Sequence, residues 1–208
     1  GVLMKIVVIA GSMKTTGGES GRVARWLNQK IEADGHSTFL RDLGQDPLPQ
    51  WDEGLWGTAP HAEKWNEIWQ PLKTQLAAAD GVVLVTPEYN GTASAAMKNF
   101  LHILGGMGTV DHKPVQLVSV SASVNGAYPI QELRGTGLKN NKMVAVPDHI
   151  IIRNAGDMLV DDAPRNDFDA DLRERIDYSL PLFYTYCKAL GQVRQSTLVE
   201  TKKFVFGM

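Results

Sequence analysis

The chain has 208 residues, 43% of them hydrophobic, which is long enough to bury a full core without disulfides or metal ions. Its 21 Lys and Arg residues against 23 Asp and Glu residues leave a net charge of -2, which argues against a broad electrostatic attraction to nucleic acid or anionic lipid. The single cysteine, Cys187, excludes an intrachain disulfide, and its apolar helical surroundings favour a buried structural thiol over a nucleophile.

No apolar run is long enough to span a membrane, and nothing resembles a signal peptide. We therefore expect a cytoplasmic protein with one domain over residues 1–208, in which residues 4–190 form the core and residues 191–208 form a tail. The apolar end of that tail, around Lys202, Phe204 and Phe206, favours packing against a neighbouring subunit, with a frayed terminus as the alternative.

Short apolar runs alternate along the chain with longer amphipathic segments. The runs predict five strands, at residues 4–10, 37–43, 81–86, 115–121 and 143–152. Apolar residues spaced by three and four predict helices around residues 23–31, 65–76, 97–104 and 168–180, and a shorter helix is expected from Pro129. Pro181 should kink or break the last helix because it lacks a backbone donor. Residues 44–60 are expected to form a loop, and the alternation predicts an α/β fold with a doubly wound parallel sheet.

A loop rich in glycine and hydroxyl residues follows the first strand and precedes a helix. Residues 11–20 read Gly-Ser-Met-Lys-Thr-Thr-Gly-Gly-Glu-Ser, an arrangement typical of phosphate binding at a helix N-terminus. The candidate phosphate ligands are Ser12, Lys14, Thr15, Ser20 and the adjoining Gly21. The patterns of a P-loop and of a dinucleotide fold are both missing, so one terminal phosphate, as in FMN, is favoured. The alternative is an ordinary helix start with Ser20 as its N-cap.

A second polar loop follows the third strand. Pro87, Glu88, Tyr89, Asn90 and Gly91 are its candidate cofactor-binding residues. Pro87 fixes a turn, and the Asn-Gly pair allows left-handed backbone angles that expose amide groups. Such amides can donate to the edge of an isoalloxazine ring and so stabilise the reduced flavin. The alternative is a plain turn between a strand and a helix.

A third loop, with Ser121, Ser123 and Gly126, follows the fourth strand. Its small residues permit close approach of a planar ring, although the loop could equally be a simple connection. Because the carboxyl ends of parallel strands meet at one edge of a sheet, the three loops are expected to surround a single crevice.

These motifs resemble those of the NADPH-dependent FMN reductase family over about residues 4–190. The resemblance depends on Gly-Ser-x-Lys at residues 11–14, Pro-Glu-Tyr-Asn-Gly-Thr at 87–92 and Met-Lys-Asn at 97–99. It implies a flavodoxin-like three-layer sandwich with strand order 2-1-3-4-5, bound FMN, NADPH or NADH as co-substrate, and a homodimer or homotetramer with the flavin near the interface.

Several residues depart from the pattern of that family. Lys14 replaces an arginine, the route to Ser20 is longer than usual, Ala95 and Ala96 stand where Pro-Gly is more typical, and His102 replaces a frequent aspartate. We interpret His102 as a packing or interface residue. Two tryptophans, Trp65 and Trp69, have helical spacing and are assigned to the core, while the loop tryptophans could border the ring or a subunit interface.

The resulting hypothesis is a ping-pong oxidoreductase in which hydride passes from NAD(P)H through FMN to a quinone, flavin, azo compound or metal oxyanion. No metal site and no catalytic side chain are expected, because N5 of the flavin would be the reactive centre. Two alternatives are a flavodoxin-like electron carrier, which the net charge of -2 supports weakly, and a non-catalytic scaffold.

Overall fold

The computed structural model describes residues 1–57, 61–200 and 203–208. Its strands are β1 (Lys5–Ala10), β2 (Ser37–Asp42), β3 (Gly81–Tyr89), β4 (Thr92–Ala93), β5 (Pro114–Val120), β6 (Val144–Ala145) and β7 (Ile150–Ile152). Its α-helices are α1 (Gly18–Ala33), α2 (Ala62–Ala78), α3 (Ala95–Leu104), α4 (Ala127–Gly135), α5 (Asp167–Arg194) and α6 (Thr197–Glu200). Two short 3-10 turns lie at Glu53–Trp56 and Ala155–Asp157.

The sheet has the order β2-β1-β3-β5-β6, and β7 also pairs with β5. These strands are parallel, so the predicted α/β fold and strand order are confirmed. The predicted number of five strands is wrong, because the described residues form seven. The fifth strand is divided into β6 and β7 by a segment containing Pro147, which has no N–H for a sheet hydrogen bond, and β4 pairs antiparallel with the end of β3.

The side chains of the central strands alternate between two cores, one on each face of the sheet. Ile6 and Val8 of β1 pack with the α1 and α5 side of the molecule, whereas Val7 and Ile9 pack with α2, α3 and α4. Helices thus cover both faces of a parallel sheet, as its apolar strands require. Trp65 is buried in the second core, and Trp69 lies beside it, as predicted.

The last long helix passes through Pro181 without a break, contrary to one of the two predicted outcomes. Pro181 is exposed, so the carbonyl that loses its intrahelical partner can be hydrated. Further along the helix, Cys187 is 1% exposed and its Sγ packs closely on Gly81 of β3. Burial raises the pKa of this thiol well above its usual range, which fits the predicted structural role.

The first residues of the predicted tail, 191–194, complete α5, and the short helix α6 follows. Lys202 lies outside the described residues. Farther on, the ring of Phe206 packs against Gly106, and the carbonyl of Phe204 accepts a hydrogen bond from Lys142. The Phe204 side chain is exposed.

Candidate functional site

The three loops that the sequence singles out follow β1, β3 and β5, which are adjacent and parallel in the sheet. The first loop is also bonded to β3, because the backbone N–H of Gly11 donates to the carbonyl of Val85 at 2.8 Å. The geometry therefore places all three loops along one edge of the sheet, where ligands bind in open α/β folds.

The first loop turns tightly before α1. The N–H of Gly17 donates to the carbonyl of Lys14 at 2.8 Å, and Gly17 itself has a φ of 81° at the N-cap of the helix. Among the described residues no side chain caps this helix. The interpretation of Ser20 as N-cap is wrong, since Ser20 lies inside the first turn. The N–H groups at the start of α1 are thus left without a capping side chain, which suits an anionic ligand.

The candidate phosphate ligands differ in exposure. Ser12 and Ser20 are 0% and 3% exposed, and the Ser12 hydroxyl accepts a hydrogen bond from the N–H of Lys14 at 3.2 Å. Lys14 and Thr15 are exposed on the loop. Gly21 has no room for a side chain, because a Cβ there would lie 2.5 Å from a carboxylate oxygen of Asp42.

The second loop is a two-residue β-hairpin between β3 and β4. Asn90 and Gly91 have φ values of 51° and 73°, which confirms the predicted left-handed backbone and matches a type I′ turn. Pro87 belongs to β3, where it pairs with Val120 of β5. The buried Glu88 Oε1 has no hydrogen-bond partner among the described residues. A buried polar atom of this kind calls for a partner, so the hairpin has capacity for a polar ligand.

Ser94, which the sequence reasoning did not select, ties the first loop to the second. Its hydroxyl donates to the carbonyl of Gly11 at 2.6 Å and accepts from the N–H of Met97 at 3.0 Å, as the N-cap of α3. Gly11 has no room for a side chain, because a Cβ would lie 2.9 Å from the Ser94 Oγ. A serine directly before an apolar helical run was the available signal.

The Met-Lys-Asn motif at residues 97–99 carries three separate structural contacts. Met97 is fully buried, Lys98 pairs with Glu132 of α4 at 2.6 Å, and Asn99 holds the 44–57 segment. The Asn99 side chain accepts from the N–H of Trp51 at 2.7 Å and donates to the carbonyl of Pro49 at 2.9 Å. The backbone at Trp51 is thereby held to α3, and the Trp51 side chain is exposed.

Glu132 also supports the hairpin, a role that the sequence reasoning missed. Its second carboxylate oxygen accepts from the N–H of Ala93 in β4 at 2.7 Å. Burial by itself raises the pKa of this carboxyl, but Lys98 and the Ala93 N–H outweigh burial, and the pKa is lowered. No sequence signal connects a glutamate in α4 with a strand about forty residues earlier.

The third loop is anchored to the end of β7. The N–H of Ser121 donates to the carbonyl of Ile152 at 2.8 Å, and the N–H of Ser123 donates to the Ser121 hydroxyl at 3.2 Å. Gly126 has a φ of 114° at the N-cap of α4, and the structure describes no side chain that caps that helix. A second uncapped helix therefore begins at this edge of the sheet.

The edge also contains a residue that the sequence reasoning passed over, Arg22 in the first turns of α1. Its guanidinium binds the carboxylate of Glu19 and the carbonyls of Ala155, Met158 and Leu159. Glu19, whose charge would repel a phosphate, is therefore engaged by an arginine.

A cleft of about 350 Å³ separates the carboxyl halves of α3 and α4. Its walls include the apolar Leu101 and Leu133, and its rim includes Lys98, Lys139 and His102. His102 is exposed there. Its interpretation as a packing or interface residue stays a prediction.

The arrangement fits a phosphorylated planar ligand. The uncapped helix ends and the exposed Lys14 match an anion, while the hairpin and the third loop offer backbone groups at the neighbouring strand ends. Within residues 1–57, 61–200 and 203–208, no group of three or more His, Cys, Asp or Glu side chains could hold a metal ion. The helices in those residues include none with the length and apolar character needed to cross a membrane.

Comparisons with known proteins also indicate an FMN-dependent reductase. A family model described as NADPH-dependent FMN reductase matches residues 4–157. An FMN-dependent NADPH-azoreductase of Staphylococcus aureus (strain USA300) is 30% identical over 175 residues, which span 83% of this chain and 90% of that protein.

Two solved structures share the fold. The flavoenzyme FerB of Paracoccus denitrificans, an NAD(P)H:(acceptor) oxidoreductase, superposes with a TM-score of 0.66 at 20% identity and covers 91% of this chain and 98% of its own. A putative quinone reductase from Klebsiella pneumoniae gives a TM-score of 0.57 at 16% identity and 84% coverage of both chains.

Proposed function

The chain belongs to the NADPH-dependent FMN reductase family, and on that premise we propose that it is a ping-pong enzyme. NAD(P)H and a small electron acceptor occupy the same exposed place in turn. When bound, FMN supplies the hydride-transfer chemistry, and the protein supplies position, electrostatics and access.

The phosphate end of the site is assigned to the first loop. Ser12, Lys14 and Thr15 precede the uncapped start of α1 and Ser20 lies in its first turn, where backbone N–H groups and the helix dipole favour an anion. Gly21 contributes its lack of a side chain rather than a contact, since Asp42 fills the space beside it.

The ring end is assigned to the hairpin and the third loop. The left-handed Asn90-Gly91 turn and the preceding residues Pro87, Glu88 and Tyr89 form one wall, with amide groups available for the edge of the ring. Ser121, Ser123 and Gly126 form the facing wall. A donor near N1 and O2 of the ring stabilises the negative charge of the reduced flavin.

One observation carries the assignment, namely that the three motif loops lie at the ends of three adjacent parallel strands. The decisive experiment is the absorption spectrum of the purified protein, before and after anaerobic addition of NADPH or NADH. Flavin absorption that bleaches with either nucleotide supports the proposal. A colourless protein that neither binds added FMN nor gains thermal stability from it refutes the proposal.

Substitutions separate the two ends of the site. Ser12→Ala with Ser20→Ala should weaken FMN retention, and unchanged flavin content would refute the phosphate assignment. Tyr89→Ala with Asn90→Ala should lower turnover at saturating FMN. A normal rate would mean that the hairpin is only a turn and has no role in turnover.

The acceptor is proposed from the chemistry of the site and the named relatives. An azo compound, as the Staphylococcus aureus relative's name states, and a quinone, as the Klebsiella pneumoniae title states, are the first substrates to test, followed by free flavins and metal oxyanions. Steady-state rates with each acceptor varied at several fixed NADPH concentrations should give the parallel double-reciprocal lines of a ping-pong mechanism.

We further propose that the chain is one flavodoxin-like domain that works in the cytoplasm as a homodimer or homotetramer. The exposed side chains of Phe204 and Phe206 and the cleft between α3 and α4 support an assembly of this kind. Light scattering after size-exclusion chromatography tests it, and a monomer at micromolar concentration would contradict it.

A further inference from the structure

Arg22 is bound to a segment that lies far from it in sequence. Its NH1 donates to the carbonyl of Leu159 at 2.7 Å, and its NH2 lies 2.7 and 2.9 Å from the carbonyls of Ala155 and Met158. Nε and NH2 also bind Glu19, one turn earlier in α1, at 2.9 and 2.6 Å. Only the fork of an arginine can reach these acceptors together.

The segment held by Arg22 is itself attached to the third loop. The N–H of Asn154 donates to the carbonyl of Ser123 at 2.8 Å, and the N–H of Ala155 donates to the carbonyl of Ser121 at 3.1 Å. Arg22 thus joins the first turns of α1, at the phosphate end, to the wall that faces the ring.

The conformation of the segment is strained and fixed from several sides. Asn154 and Leu159 have left-handed φ values of 49° and 56°, and such a backbone is unfavourable for a leucine. The N–H of Leu159 donates at 2.9 Å to the carboxylate of Asp169, which is fully buried and paired with Arg173. Strain of this kind persists only where the surrounding contacts impose it.

We infer that Arg22 is a positioning residue that sets the spacing between the phosphate end and the ring end, and so gives the site its preference for FMN over riboflavin. The inference depends on the proposed function. When Arg22 is substituted, the third loop keeps its own hydrogen bond from the N–H of Ser121 to the carbonyl of Ile152 in β7. The first turns of α1, and not the third loop, should therefore change position. FMN, which must satisfy both ends, is then bound less tightly, whereas riboflavin has no phosphate and is little affected.

The test measures the dissociation constants of FMN and riboflavin by quenching of flavin fluorescence in the apoprotein. Arg22→Met should raise the constant for FMN roughly tenfold and leave that for riboflavin within about twofold. Arg22→Lys should behave like Arg22→Met, because a single ammonium cannot span the three carbonyls. The matched control is Arg25→Met, since Arg25 lies one turn later and pairs with Asp42 at 3.4 Å. It should change neither constant.

Other results overturn the inference. If Arg22→Lys keeps the full FMN affinity, Arg22 acts through its charge and not through position. If both flavins lose affinity equally in Arg22→Met, the role is merely structural. If Arg22→Met does not fold, Arg22→Gln retains an amide donor, and an unchanged ratio of the two constants in that variant refutes the idea. A wild-type protein that binds neither flavin refutes the proposed function itself. If the wild type prefers FMN and Arg22→Met has the same two dissociation constants, only this inference is refuted.

Discussion

The Ser94 hydroxyl connects two loops that are 83 residues apart in the chain. Ser94→Ala should lower the free energy of unfolding by about 1–2 kcal/mol, because it leaves the Gly11 carbonyl and the Met97 N–H buried without their partner. Urea unfolding without flavin measures the change. The control is Thr74→Ala, whose exposed hydroxyl donates to the carbonyl of Gln70 in its own helix. An equal loss in both variants would contradict a special role for Ser94.

Lys113 is 5% exposed, and its Nζ donates to the carbonyls of Leu76 and Ala77 at 2.6 and 2.7 Å, at the end of α2. Burial, with a smaller effect of the Arg194 charge, lowers the pKa of Lys113 from 10.5 to about 8. The neutral amine still has two N–H groups for these two carbonyls.

This shift predicts how stability depends on pH. Between pH 8 and 10.5 the folded chain releases the Lys113 proton while the unfolded chain keeps it, so the free energy of unfolding should rise with pH across that window. Subtracting the pH curve of Lys113→Met, which lacks the group, should leave a rise of up to about 3 kcal/mol. A difference that is flat or falls over this range would mean that the native ammonium is stabilised by the two carbonyls.

At the scale of elements, Glu132 holds the hairpin against α3 and α4. Because the pKa of Glu132 is lowered from 4.5 in the folded state, its contribution is present at neutral pH and is lost as the pH falls through the folded value. Glu132→Gln should therefore be less stable than wild type at pH 7 by about 0.5–1 kcal/mol, a modest value because Lys98 is 40% exposed.

Unfolding at a series of pH values tests this role of Glu132. The difference between wild type and Glu132→Gln should shrink as the pH drops below 4.5. Lys98→Met should show a similar loss at pH 7, and the double variant should show little more than either change alone. Additive losses would indicate that the two side chains act independently.

The sequence was informative where a structural requirement is local. The Asn90-Gly91 pair predicted a left-handed turn because few residues adopt that backbone, and the alternating apolar runs predicted the parallel sheet. The division of the fifth strand was missed, although Pro147, Asp148 and His149 interrupt the apolar run and were the available signal. The break that Pro181 could cause is absent, since its solvent-exposed position makes the loss of one hydrogen bond tolerable, and the kink stays a prediction.

The same difference between local and distant structural requirements applies to the candidate site. Its motif loops were identified from turn and phosphate-binding chemistry, which neighbouring residues determine. Ser94, Glu132 and Arg22 were missed as its supports because their partners lie 83, 39 and 133 or more residues away. Contacts at such separations depend on the completed fold, and a single sequence does not encode them in any local pattern.

At the scale of the whole molecule, the two cores share one sheet. Residues that alternate along β1 pack into both cores, as Val7 and Val8 do, so neither core can be lost while the other stays intact. The described part of the chain should therefore unfold in a single cooperative transition.

Flavin binding should raise the temperature of that transition. With FMN at about 100 times its dissociation constant, linkage adds about 2.7 kcal/mol to the native state, and a chain of 208 residues should melt roughly 5 to 10 °C higher. Scanning calorimetry of the apoprotein with and without FMN measures the shift. Riboflavin at the same concentration is the control, and its shift should be smaller because it lacks the phosphate that the start of α1 is proposed to bind. Equal shifts with the two flavins would contradict a phosphate site in the first loop.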